Sequence, residues 1–147
     1  VAWSLPMSDI HIRIADWQKD HAALRSIRET VFIAEQAVPP ELEWDADDAN
    51  AVHFLALAGE YPIGTARLLA DGHIGRVSVL KDWRGLKVGD KLLRAAIAEA
   101  EKRGLKQQML SAQVHASSFY ERFGFAVVSG EFLDAGIPHV DMVRHSH

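Results

Sequence analysis

The sequence predicts an α/β (α+β) domain, a mixed central sheet of about six to seven strands flanked by helices. Three observations lead there. Short segments of period-two apolar alternation take turns with segments of helical apolar spacing. Glycine, proline, aspartate and asparagine punctuate the junctions. The 147 residues are 48% apolar and 24% charged, enough for one core and too few for two comfortable domains. No repeat or long linker divides them, so residues 1–147 are expected to be one domain, with 1–6 an extension ahead of Met7.

Residues 9–15 alternate polar with Ile10, Ile12 and Ile14, which predicts a half-buried first strand. Asp16 is then placed to cap a helical region running to about Gln36, with Ala23, Leu24, Ile27, Val31 and Phe32 as its apolar stripe. Pro39-Pro40 breaks that helix, and 41–50 follows as an acidic loop with Glu41, Glu43, Asp45, Asp47 and Asp48 around Trp44. Residues 51–58 and 63–70 read as strands joined by a turn over 59–62, and Asp71-Gly72 signals a hairpin into a strand over 73–80. Val88, Leu92, Leu93, Ala96, Ile97 and Ala100 share one helix face, and Gly104 ends that helix. A strand over 108–114, a short helix over 117–122 and a strand from Gly124-Phe125 follow. Gly136-Ile137-Pro138 interrupts before a last strand over 139–144, and His145-Ser146-His147 reads as a mobile tail.

Composition narrows the function. A net charge of −4 argues against a general nucleic-acid surface. The absence of cysteine removes disulfides, thiolate metal ligands and a cysteine acyl-enzyme, and it fits a reducing, cytoplasmic setting. No apolar run approaches the roughly 20 residues that span a bilayer, and 1–6 lacks the pattern of a signal peptide. The eight histidines show no His-x-x-x-His spacing with a supporting carboxylate, so no metal is expected.

The strongest chemical signal is the strand–turn–helix over 76–93. A helix start offers backbone N–H groups without intrahelical partners, and the positive end of the macrodipole favours a phosphorylated ligand there. Lys81, Arg84 and Lys87 add charge, while Gly85 and Gly89 allow close approach to the backbone. Neither a Walker A loop nor Gly-x-Gly-x-x-Gly is present. A second segment over 113–125 places Phe119, Phe123 and Phe125 toward a core and turns Tyr120 elsewhere on its helix.

Together these segments resemble the GNAT superfamily of acetyl-CoA-dependent N-acetyltransferases. The family loop Arg/Gln-x-x-Gly-x-Gly/Ala is matched at Arg84 and Gly89, with Lys87 at its middle glycine. The family's Asn-x-x-Ala-x-x-Phe/Leu-Tyr-x-x-x-Gly-Phe is matched at Ala116, Phe119, Tyr120, Gly124 and Phe125, with Gln113 for the asparagine. Residues 31–36 with the acidic loop, and 132–142, look like its small ElaA-like branch.

The resemblance implies acetyl-CoA as cosubstrate and no metal. It sets the cofactor along Val77, Ser78 and Val79, at Arg84, Gly85, Leu86, Lys87, Val88 and Gly89, and beside Gln113, Ser117 and Tyr120. It implies direct transfer to the amine of a small molecule or peptide, with Tyr120 as general acid or, alternatively, only orienting the cofactor. Glu35 and His139 are the candidate bases, with His53 and His73 also on predicted strands. The acidic loop either attracts a cationic acceptor or is a solvated face. A homodimer is an expectation of resemblance alone. The rival reading is a non-catalytic acyl-CoA-binding or interaction module on the same fold.

Overall fold

The computed structural model describes residues 10–38, 48 and 50–146. Strand β1 (Ile10–Ile14) leads to helix α1 (His21–Arg28), which continues as a π-helical segment over Glu29–Glu35. The meander β2 (Val52–Ala58), β3 (Tyr61–Leu68) and β4 (Ile74–Val79) follows, then a 3₁₀ turn over Lys81–Trp83 and helix α2 (Val88–Lys102). Strand β5 (Gln107–Gln113), a 3₁₀ turn over Val114–Ala116 and helix α3 (Ser117–Glu121) come next. The chain closes with β6 (Ala126–Val127), β7 (Phe132–Asp134) and β8 (Ile137–His145).

The strands form two sheets. One is antiparallel in the order β1-β2-β3-β4, and the other has the order β5-β8-β6 with β7 also on β8. The sheets meet at a parallel bridge between His73 and Met109, reinforced by the Met109 N–H donating to the Gly72 carbonyl at 3.2 Å. Gly72 makes that junction: its φ is +101°, and an added Cβ would run into the Gln107 carbonyl.

Burial explains the hydrophobic run in β2. Phe54, Ala56 and Ala58 join Leu92, Leu93, Ala96, Ile97 and Ala100 of α2 in the larger core. Leu55 and Leu57, pointing the other way, pack with Leu24, Ile27 and Val31 of the α1 segment. Helices α1 and α2 therefore cover opposite faces of the first sheet, and an unbroken apolar strand results. Among the described residues no helix is long and apolar enough to cross a membrane.

Five expectations are corrected. Asp16 caps a turn ahead of the helix, accepting from the Gln18 and Lys19 N–H groups at 2.9 and 3.1 Å, and α1 begins only at His21. Tyr61 and Pro62 belong to β3, because a two-residue turn at Gly59-Glu60 suffices for the hairpin. Strand β7 has no counterpart among the expected elements, and Pro138 lies inside β8, where it pairs with Leu133 of this short edge strand. The sheet count rises to eight strands. The C-terminal segment is tied down: the Ser146 hydroxyl donates to Glu101 at 2.7 Å and receives Arg144 Nη1 at 2.9 Å. Of the acidic loop, only Asp48 and Asn50 lie among the described residues.

Candidate active site

Beyond the His73–Met109 bridge, β4 and β5 make no further ladder with one another, and a cavity of about 380 Å³ opens between them. Ile74, Gly75 and Val77 of β4 form one wall, and Leu110, Ser111 and Gln113 of β5 the other. Strand β4 carries an extra residue here. Thr65 pairs with Ser78 but Arg67 pairs with Gly75, so Arg76 and Val77 together oppose Ala66. Such a bulge leaves one residue outside the ladder and re-aims its backbone groups, here beside the cleft.

Tyr120 enters from α3. Its ring stands edge-on to Phe119, centroids 5.0 Å apart, and to Phe125 at 6.1 Å. The residue lines the cleft, and its hydroxyl has no hydrogen-bond partner among the described residues. Packing around the ring pushes the phenol up to about 12, so it keeps its proton through the physiological range.

Three histidines line the same cleft: His73, His115 and His139. The Nδ1–H of His139 donates to the Ile137 carbonyl at 2.6 Å, which leaves the lone pair of the neutral ring on Nε2. The His73 ring meets Asp71 Oδ2 through Nδ1 at 2.8 Å, and this contact holds the Asp71 carboxyl below its usual range. His115 Nε2 donates to Gln113 Oε1 at 2.7 Å, and Gln113 Nε2 donates onward to Gln36 Oε1 at 2.8 Å. His53 lies elsewhere. It is buried, donates through Nε2 to the Asp48 carbonyl at 2.6 Å, and stacks on Trp17 at 4.4 Å.

The loop before α2 supplies backbone rather than side chains. Lys87 adopts the left-handed conformation, φ +63° and ψ 22°, which is the geometry that favours glycine at this position. Helix α2 then starts without a side-chain cap, leaving its first N–H groups directed outward at the loop. Arg84, Gly85, Leu86 and Lys87 are exposed there. Val88 is buried against the core, and Gly89 packs near Phe119, where an added Cβ would meet the ring at 3.6 Å. Of these two residues, Gly89 is the partly exposed one and offers only backbone to a phosphate.

The other expected site residues are distributed unevenly. The Ser78 side chain is buried, its hydroxyl 2.6 Å from that of Thr65, so it offers the cleft backbone only. Ser117 opens α3 outside the cavity lining. Glu35 lines a separate hollow beside Lys81 and Trp83. Its carboxylate holds Arg84 Nη2 at 2.9 Å, and Arg84 Nε donates to the Val79 carbonyl at 2.9 Å. Glu35 and Arg84, expected in different roles, are therefore partners. His115, Gln36 and Asp134 line the cleft without having been assigned to it; His115 sits inside the second sequence motif, which was its only signal. These residues fit an acyl-CoA: a narrow arm would lie along bulged β4, and its phosphates would meet the uncapped helix start.

A family model described as an acetyltransferase (GNAT) domain matches residues 15–146. The chain is 39% identical over 122 residues to the uncharacterized N-acetyltransferase YjcF of Bacillus subtilis, covering 80% of this chain and 87% of that one. Among solved structures it superimposes on Escherichia coli ElaA with a TM-score of 0.82 at 30% identity, covering 92% of this chain and 99% of that one. An acyl-CoA N-acyltransferase from Pseudomonas aeruginosa gives 0.81 at 30% identity with the same coverages of 92% and 99%.

Proposed function

Because this chain belongs to the GNAT family of acetyltransferases, whose members use acetyl-CoA, we propose that it transfers the acetyl group directly to a primary amine of a small molecule or peptide. The observation that carries this reading is the Tyr120 phenol, ring-packed by Phe119 and Phe125, with its hydroxyl unpartnered among the described residues in the β4–β5 cleft. A reducing, cytoplasmic setting suits a chain without cysteine.

When bound, acetyl-CoA supplies an activated acyl group and a thiolate leaving group. The protein's own residues have three tasks. The uncapped start of α2, with the loop from Arg84 to Gly89, holds the phosphates through backbone N–H groups and the charge of Lys87. The bulge at Arg76–Val77 offers a backbone N–H to the thioester oxygen, where negative charge is stabilised by a preorganised donor. Protons are handled by two side chains. His139 receives the acceptor's proton on Nε2, the nitrogen freed by the Ile137 bond. Tyr120 donates to the departing sulfur through a hydrogen bond that strengthens as negative charge arrives.

His139 is favoured over Glu35, whose carboxylate is committed to Arg84. It is favoured over His73 by position: His73 sits at the closed end of the cleft beside Met109, whereas His139 pairs with Gln113 toward the open end.

The test is acetyl-CoA turnover against amino acids, polyamines, aminoglycosides and peptides, with free thiol as the readout. Thiol release that depends on one class of amine supports the reading and names the acceptor class. Acetyl-CoA binding without amine-dependent release across the panel would count against transfer to an amine.

A further inference from the structure

Two adjacent residues at the end of the π-helical segment are tied to the ends of β4 and β5, the strands that wall the cleft. Glu35 takes Arg84, which in turn holds the Val79 carbonyl at the end of β4. Gln36 accepts from Gln113 at the end of β5, and Gln113 holds His115 in the cleft. These partners are 49 and 77 residues away in sequence, so the helix end ties both strand ends to a common element.

The tying element is itself strained. Seven consecutive residues, Glu29–Glu35, are π-helical, a form that is usually confined to a single turn. Ala37 follows with φ +56°, a conformation that costs a residue with a Cβ. Strain of this kind persists where surrounding contacts overdetermine it, and the two side-chain ties are such contacts.

We infer that Glu35 and Gln36 form a clasp across the open end of the β4–β5 cleft, and that this clasp positions the phosphate loop and the acyl-transfer cleft relative to each other. The inference rests on the acetyl-CoA reading above. Glu35 and Gln36 act through Arg84 and Gln113, so both are positioning residues. Helix α1 lies on the sheet face opposite α2, so the Glu35–Arg84 tie links the segment after α1 to the loop that leads into α2 on the other face. A cofactor spanning loop and cleft then binds a pre-set frame, and loosening either tie makes it order that frame itself.

A clasp differs from two local contacts in one measurable way. Once one end is released, the other end positions nothing. Calorimetry with acetyl-CoA on the whole protein, comparing wild type, Glu35→Ala, Gln113→Leu and the double variant, reads this directly. Each single variant is expected to weaken acetyl-CoA about five-fold, the worth of one polar tie. The double variant is expected to weaken it by about five-fold as well, where independent contacts would give about 25-fold.

Gln36→Leu separates the tie from any direct contact of Gln113 with the cofactor and is expected to match Gln113→Leu. Glu35→Gln keeps an acceptor for Arg84 and is expected to recover part of the loss. Multiplicative losses in the double variant, or singles equal to wild type, would overturn the clasp. A wild-type protein that binds no acetyl-CoA would instead overturn the acetyl-CoA reading, and urea unfolding of each variant confirms that the fold is intact.

Discussion

The phenol of Tyr120 shares its helix with Phe119, and the two rings meet edge to face at 79°. That contact separates packing from chemistry within two successive residues. Phe119 packs against the larger core beside Gly89 in the first turn of α2, while Tyr120 carries a polar atom into the cleft. Removing only the hydroxyl leaves the ring contacts in place.

Tyr120→Phe is accordingly expected to keep acetyl-CoA affinity within two-fold or so and to lower turnover by about ten-fold or more. The phenol sits at about 12, so its own ionisation cannot shape the rate between neutral pH and pH 9. Stopped thiol assays across that range should show the same profile in both proteins, scaled down in the variant. Equal turnover would reduce Tyr120 to a packing residue.

Lys87 occupies a glycine's conformation at the helix start, and its two properties pull apart. The left-handed backbone costs a residue with a Cβ, and a cation faces the positive end of the α2 dipole. Against that, the ammonium favours phosphates. Lys87→Gly should raise stability by about 0.5–1 kcal/mol in urea unfolding, after allowing for glycine's larger unfolded-state entropy. It should also weaken acetyl-CoA a few-fold at low salt, with the difference shrinking as salt rises. A variant that is less stable than wild type would show that the Lys87 side chain makes a stabilising contact.

Much of this fold is visible in the chain because its signals are local. The α2 face from Val88 to Ala100 survives into the structure, and so does the alternation at Ile10 and Ile12, while Ile14 at the strand end is exposed. The second family motif reaches the cleft through Gln113, Ala116 and Tyr120, whereas the loop from Arg84 to Gly89 lies outside its lining, at the start of α2. What escapes is of a different kind. The π-helical stretch has no distinct periodicity, so it reads as ordinary helix. Strand β7 is three residues long, and its turn uses Ala135 at φ +52° beside Gly136, so only half of the turn signal shows. Glu35–Arg84 and Gln36–Gln113 are long-range pairs, invisible to any pattern of spacing.

Asp48 shows the same limit at one residue. Within a run of acidic residues it reads as solvated surface or as an electrostatic lure. The structure buries it instead, with Oδ1 2.9 Å from both Arg28 Nη1 and Arg67 Nη1. Arg28 lies on α1 and Arg67 on β3, so this carboxylate pins the helix to the sheet beneath the cleft wall. Asp48→Asn removes the charge while keeping the size. It leaves two buried guanidinium groups without their shared carboxylate, a change worth about 3 kcal/mol or more. Urea unfolding should show a loss of that order. A loss below about 1 kcal/mol would mean that the arginines find equivalent partners, and the pinning role would fall.

His53 makes the fold sensitive to acid in a defined window. Burial holds its imidazole below the ordinary value of 6.5, outweighing the Asp48 carbonyl and carboxylate, which favour the charged ring; Arg28 and Arg67 disfavour it. The unfolded chain therefore binds this proton first as pH falls. The neutral His53 contribution is complete above 6.5 and is lost progressively below it, down to the folded value. Asp20 and Asp71 are also shifted down, held below 3.8 by their bonds to Arg13 and to His73, so their contributions are lost only at lower pH. Melting temperature should thus fall between pH 7.5 and 5.5 in the wild type. In His53→Gln, which can still donate to the Asp48 carbonyl and does not titrate, that slope should flatten at the cost of the stacking on Trp17. An unchanged slope in the variant would assign the acid sensitivity to another histidine.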